Sequence, residues 1–214
     1  MSAAVAAAGP AVQPVNYALS FGFAITILAF AVGDVSGAHI NPSVTLALAI
    51  TKNIEPMRAV LYVISQIVGG LVGGGLLRLA VGDAYRSGIG LSPLVQPGGG
   101  FLLEFMGTLI LIFVVFNVAV WTTNVAENDF GGTVISSLAP IPIGLAVLVA
   151  HLTLGPFTGC GINPARVLGA VVYEDGFWDS RAGENFCAQR AANPLFAALP
   201  RPCADPDPDD EACD

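Results

Sequence analysis

Four long apolar runs set the pattern of this chain, at 17–33, 59–77, 101–121 and 134–154. In each, apolar residues follow one another almost without a polar stripe, the sign of a helix surrounded by lipid or protein on all sides. A helix needs about 20 such residues to cross a bilayer, so each run predicts a spanning helix. Charges bracket the runs, with Asp34 after the first and Arg58 and Arg78 at the ends of the second, whereas Glu104 sits inside the third. Pro140 and Pro142 fall in the first half of the fourth run and His151 near its end. The second run carries Gly69, Gly70 and the triplet 73–75. Small residues of this kind let helices approach closely in lipid.

Two shorter apolar runs have a different beginning. Each opens with Asn-Pro, at Asn41-Pro42 and Asn163-Pro164. An Asn side chain accepts a backbone N–H orphaned by the first helical turn, and Pro fits the first helical position, where its missing N–H is no loss. The spacing therefore predicts helices over 41–50 and 163–172, too short to cross. The two Asn lie 122 positions apart, and at that offset Ser36 matches Thr158, Gly37 matches Gly159, Ile40 matches Ile162 and Leu46 matches Leu168. A half-helix after a spanning helix, repeated in both halves of a chain, points to a transporter or channel site at the membrane midplane.

Composition agrees. Of 214 residues, 54% are hydrophobic and 11% charged, against roughly 25% charged in soluble domains. The net charge of −8 misleads as a functional clue, because −5 of it comes from the residues after Asp175. Lacking a basic patch, the chain offers nothing to nucleic acid. Its four cysteines, Cys160, Cys187, Cys203 and Cys213, form neither a CxxC nor a Cys/His metal pattern, and their spacing defines no disulfide. Neither a nucleophile motif nor a phosphate loop is present; Gly98-Gly99-Gly100 runs into a spanning helix without Lys-Ser/Thr. The expectation is a protein that is not an enzyme and needs neither cofactor nor metal. Lysine and arginine are nearly balanced across the two sides, so the positive-inside rule marks orientation weakly.

The segments Ser36-Gly37-Ala38-His39-Ile40-Asn41-Pro42-Ser43 and Thr158-Gly159-Cys160-Gly161-Ile162-Asn163-Pro164-Ala165-Arg166 resemble the two signature loops of the aquaporin, or major intrinsic protein, family. The resemblance runs in register over roughly residues 15–175. Ser43 stands where Ala is commoner. The resemblance implies an all-α membrane protein built as an inverted repeat, here with four full spanning helices and two half-helices. The expected organisation is a flexible segment 1–14, a channel unit 15–175 with pseudo-repeats 15–80 and 101–175, and a polar, acidic tail 176–214 without order. The family's first and sixth helices are expected to be absent. The 122-residue offset says the same, since it pairs the second run with the polar stretch 181–199 and the third with positions before residue 1.

The function implied is a passive water channel in a lipid bilayer, multi-pass, in the plasma membrane or an internal one, and homotetrameric. Asn41 and Asn163 are then the midplane pair. With their oxygens occupied as caps, each NH2 is expected to be free for a passing oxygen, while two half-helix dipoles direct positive potential there. Read without the repeat, they are two ordinary caps. The resemblance places Phe21, His151, Cys160 and Arg166 in a narrow aromatic/arginine filter. Arg166 is otherwise a charge in an apolar half-helix, a functional site by default, and His151 otherwise a satisfied polar group between helices. The resemblance assigns pore carbonyls to Gly37, Ala38, His39, Gly159 and Gly161, and gives Glu104 the bracing of the second loop. Gln66 is as readily a bond between helices as anything more. Val167 replaces the Asp that glycerol facilitators carry after this Arg. Two other readings stay open: a non-conducting fragment or regulatory subunit, and a glycerol or small-solute facilitator.

Overall fold

The computed structural model describes residues 13–82, 85–121 and 137–174. The stretch between the third and fourth apolar runs, the first residues of the fourth run (134–136), most of the segment 1–14 and the tail 176–214 lie outside these. Among the described residues, the helices in order are α1 (Gln13–Ser36), α2 (Pro42–Ile50), α3 (Pro56–Val81), α4 (Pro97–Val115, continued as a π-helical turn Phe116–Trp121), α5 (Pro140–Thr158) and α6 (Pro164–Val171). Among the described residues, α1, α3, α4 with its π turn, and α5 are long and apolar enough to cross a membrane. The 24 residues of α1 give about 36 Å at 1.5 Å per residue, beyond the roughly 30 Å hydrocarbon core.

The helices overrun the apolar runs that predicted them. Helix α1 begins at Gln13, so Gln13 and Pro14, expected to be flexible, are helical. Helix α3 takes in both Arg58 and Arg78, because a charge at the interface does not interrupt backbone hydrogen bonding. Pro97 to Gly100, which precede the apolar run that begins at residue 101, form the first turn of α4. The largest correction concerns α5. It opens at Pro140 rather than at residue 134, so Pro140 and Pro142 sit in its first turn, while Pro156 lies inside its last turn. In a first turn a proline's missing N–H has no helical partner to lose. The helix then runs past residue 154 to Thr158 and stops at Gly159, whose φ of +75° and ψ of 5° are left-handed.

Glycines set the packing. On α1, a Cβ at Gly22 would fall 2.9 Å from the Gly144 carbonyl oxygen of α5. On α3, Gly70 faces the Ala165 carbonyl of α6, and Gly74 that of Gly169. A methyl at any of these contacts would force the helices apart, at about 1–3 kcal/mol. Buried Val44, Leu48, Leu111, Val115, Val147 and Leu154 fill the space between α2, α4 and α5. The outer face of α3, including Val60, Leu61, Ile64, Val68, Val72 and Leu76, is exposed.

The connection from 85 to 96 lies over the second half of the molecule. Buried Tyr85 donates its hydroxyl to the Ala170 carbonyl, 2.7 Å away. Two backbone bonds tie it to the end of α5, from Gly90 N to Thr158 O (3.2 Å) and from Ser92 N to Phe157 O (2.7 Å). Through these bonds the connection holds the loop after α5 in place.

Candidate pore site

The loops between α1 and α2 and between α5 and α6 share one backbone path. Gly37 and Gly159 have φ of +75°, Ala38 and Cys160 have +45° and +55°, and Ile40 and Ile162 have +52° and +26°. Left-handed conformation at a β-branched residue is an outlier, and here it recurs at matched positions. The Ala38 N–H donates to Ser36 Oγ (3.3 Å) and the Cys160 N–H to Thr158 Oγ1 (3.2 Å), another matched pair.

Each loop ends in a capping Asn. Asn41 Oδ1 accepts from Ser43 N (2.9 Å), and Asn163 Oδ1 from Ala165 N (3.1 Å) and Arg166 N (3.3 Å). The side-chain amides cross over. Asn41 Nδ2 donates to Ile162 O and Asn163 Nδ2 to Ile40 O, both at 3.0 Å. An amide NH2 has two hydrogens, so one of each pair closes the loops on each other and one is left. The expectation of a wholly free NH2 is corrected accordingly: a carbonyl this close in a buried junction needs a donor.

Glu104 reaches the second loop from α4. Its Oε2 accepts from Ile162 N (2.8 Å), and its Oε1 from Gly161 N (2.7 Å) and from the Thr158 hydroxyl. Gly161 is closely confined, since a Cβ there would lie 3.0 Å from Glu104 Oε2. The first loop is held differently. Tyr62 of α3 donates to Ser36 O (2.8 Å). Fully buried Thr45 donates to Asn41 O (3.1 Å) and accepts from Gln66 Nε2 (2.9 Å), with His39 Nδ1 at 3.2 Å. Gln66 thus bonds α3 to α2. His39 lies beside the Tyr62 ring, centroids 4.9 Å apart. Burial, and then the charge of Arg58, hold its imidazole below the ordinary histidine pKa.

Phe21, His151, Cys160 and Arg166 come together above the second loop. Phe21 and His151 stack nearly parallel, centroids 4.5 Å apart and planes 9° apart. The Arg166 guanidinium carbon lies 4.4 Å from the Phe21 centroid, within cation–π range. Arg166 Nη1 donates to Cys160 O at 2.7 Å. His151 Nδ1 lies 2.7 Å from Val147 O. A carbonyl only accepts, so Nδ1 carries the proton and Nε2 presents a lone pair. His151 Nε2 and Arg166 Nε are buried without a partner among the described residues. One acceptor and one donor thus face the same small cluster.

The carbonyls divide. Those of Gly37, Ala38 and His39 have no protein donor among the described residues. Gly159 O accepts from the Tyr17 hydroxyl (2.6 Å) and from Arg166 Nη2 (3.3 Å). Both its lone pairs are taken, so in this conformation it is not the open acceptor expected of it. Gly161 O accepts from Asn163 N. Tyr17 is not among the residues expected at this cluster, because it falls within the first apolar run. The available signal was its spacing, four residues before Phe21 on the same helical face. Thr45 and Tyr62 were missed as well; each is one polar group in an apolar helix, with no local sign of its partner.

Crossing helices that enclose two half-helices, joined at their N-termini by a reciprocal Asn pair, define an inverted-repeat membrane channel fold. The chain belongs to the major intrinsic protein family, whose profile matches residues 1–181. Members of this family are multi-pass integral membrane channels and not enzymes, and this chain is a multi-pass integral membrane protein. It is 40% identical to Aquaporin-1 of Sus scrofa over 174 residues, 80% of this chain and 61% of that protein. It is also 40% identical to the probable aquaporin PIP2-2 of Oryza sativa subsp. japonica over 170 residues, 77% of this chain and 57% of that one. It therefore spans about three fifths of the length of these relatives. Among solved structures, the aquaglyceroporin from Plasmodium falciparum shares the fold, with a TM-score of 0.67 at 21% identity, over 91% of this chain and 84% of that one.

Proposed function

We propose that this chain forms a passive, water-selective pore that excludes protons and ions. The reading rests chiefly on the reciprocal pair Asn41 and Asn163, each with one N–H remaining after its bond to the other loop. The N-terminal ends of α2 and α6 meet at this pair, and each carries about half a positive charge. A water molecule there accepts from both amides, so both its lone pairs are engaged. It cannot then accept a proton from the next water in the file, and the local potential repels cations.

At the filter, Phe21, His151, Cys160 and Arg166 supply a narrow wall with an acceptor, His151 Nε2, and the donors of Arg166 that the protein leaves over, Nε and one hydrogen of Nη1. That pairing suits a molecule that both donates and accepts. The apolar Val167 following Arg166 favours water over glycerol. Both the Aquaporin-1 relatives and the residues of the filter support the same choice. The exposed outer face of α3, where Gly69 and Gly73 meet no neighbouring atom within 4 Å, suits lipid or a second protomer, and a homotetramer is the assembly proposed.

The test is stopped-flow shrinkage of proteoliposomes, run with sucrose and then with glycerol. Water permeability well above empty vesicles with little glycerol uptake is expected. Correctly inserted protein without added permeability would overturn the channel reading in favour of a non-conducting subunit. Glycerol flux matching water flux would move it to the facilitator class named by the solved neighbour.

A further inference from the structure

Tyr17 stands one helical turn before Phe21 on α1, and its ring packs against the filter residues. It meets Phe21 edge-on with centroids 4.8 Å apart and His151 at 5.2 Å. Its hydroxyl donates to the Gly159 carbonyl at 2.6 Å and accepts from Arg166 Nη2. The Arg166 guanidinium carbon lies 5.7 Å from the Tyr17 centroid as well as 4.4 Å from that of Phe21. Arg166 is therefore held beside both rings, with Nη1 on Cys160 O and Nη2 on the Tyr17 hydroxyl and Gly159 O. Of five guanidinium N–H groups, three are engaged inside the protein.

We infer that Tyr17 is a fifth, positioning residue of the filter, a latch that sets which of Arg166's donors a permeant can reach and how wide the opening is. This rests on the filter reading proposed above. Three consequences follow from the geometry. The latch satisfies the Gly159 carbonyl, removing one acceptor from the loop. It engages one Arg166 donor that a polyol would otherwise use for a second hydroxyl. It also sets a third ring at a steep angle against the Phe21–His151 pair. Two ring faces admit a water between them only when separated by roughly 7 Å, two aromatic contact distances. The stack at 4.5 Å is thus a continuous wall, and the width of the filter is set by where Arg166 is held.

The experiment uses the full 214-residue chain, as wild type, Tyr17→Phe and Tyr17→Ala. Tyr17→Phe keeps the ring and removes only the hydroxyl. Proteoliposome water and glycerol permeabilities are measured for each, together with the guanidinium 15N resonances of Arg166 in detergent, assigned with Arg166→Lys. A pinned guanidinium gives distinct Nη signals. Expected in Tyr17→Phe are merging of those signals and a rise in the glycerol-to-water ratio of roughly 2–10-fold, the effect of releasing one hydrogen bond. Tyr17→Ala should raise the ratio further. Unchanged Nη signals in Tyr17→Phe overturn the latch, and so does an unchanged ratio when the wild type conducts. A wild type without water flux overturns the channel reading instead, and the Nη signals then decide the latch alone. Should Tyr17→Ala fail to fold, the isosteric Tyr17→Phe carries the result.

Discussion

The amide of Asn41 donates to the carbonyl of Ile162, and the amide of Asn163 donates to the carbonyl of Ile40, each across 3.0 Å. The two half-helices are therefore joined N-terminus to N-terminus by a symmetric pair of bonds. Each Asn is at once a cap, a clasp and the holder of a remaining donor.

That triple role predicts the behaviour of Asn163→Asp. The carboxylate still caps α6, but it sets an acceptor against Ile40 O and a negative charge at the midplane. Losing the clasp and opposing two acceptors should lower stability in detergent by about 1–3 kcal/mol. Water flux should fall and cation or proton leak should appear. Vesicles loaded with a pH-sensitive dye report the leak; tightness equal to wild type would show that the pair does not form the barrier.

Arg166→Val removes the cation of the proposed filter and its contact with Phe21 and Tyr17. Glycerol permeability, proton leak or both should increase while water continues to pass. Paired osmotic and pH-jump measurements check this. Unaltered selectivity with intact flux would place the filter elsewhere.

Glu104→Gln replaces an all-acceptor group by one that presents NH2 to donors. Three donors converge on the carboxylate, from Gly161, Ile162 and Thr158. At least one would face another donor, costing on the order of 3 kcal/mol. A lower melting temperature in detergent and reduced flux are expected. Wild-type melting would mean that the loop holds its shape through the connection at 85–96.

Cys160 is fully buried, and its carbonyl rather than its thiol meets Arg166. A mercurial should therefore inhibit slowly, at a rate set by opening of the filter, and thiol reductant should reverse the block. Inhibition that persists in Cys160→Ser assigns the reactive thiol to Cys187, Cys203 or Cys213.

His39 predicts a pH dependence. The folded state keeps its imidazole neutral below the ordinary histidine pKa, whereas the unfolded chain takes up a proton near pH 6.5. As pH falls below about 6.5, the unfolded state binds more protons and stability declines. Above that value His39 contributes no slope. Melting curves of wild type and His39→Gln should coincide in shape above pH 7 and separate below pH 6, with the wild type losing more. Parallel curves throughout would exclude His39 as the source.

Much of this architecture was legible because lipid imposes a simple rule. A crossing helix must satisfy its backbone internally and present apolar side chains, so apolar runs report helices. Asn-Pro reports a helix start for a local reason, and the repeat at 122 residues converts two local signals into one site. Local rules also account for the errors. Where the apolar run continued upstream of Pro140, polarity could not locate the start of α5, and proline's fit to a first turn decided it. Arg58 and Arg78 ended the second run in polarity but not in hydrogen bonding.

The grouping of Phe21 with His151, Cys160 and Arg166 was implied by the family resemblance alone; by itself, the sequence determined the kind of elements among the described residues, the pairing of the two loops, and the convergence expected of Asn41 with Asn163. These follow from hydrophobicity, capping and repetition, which act within a few residues or at a fixed offset. Only the tertiary structure decided which donors remain. The crossed amides, the saturated Gly159 carbonyl, the Nδ1-protonated His151 and the clasp of Tyr17 on Arg166 depend on groups far apart in the chain. Hydrogen bonds form at about 3 Å with fixed direction, and no apolar pattern records which distant carbonyl a side chain will meet.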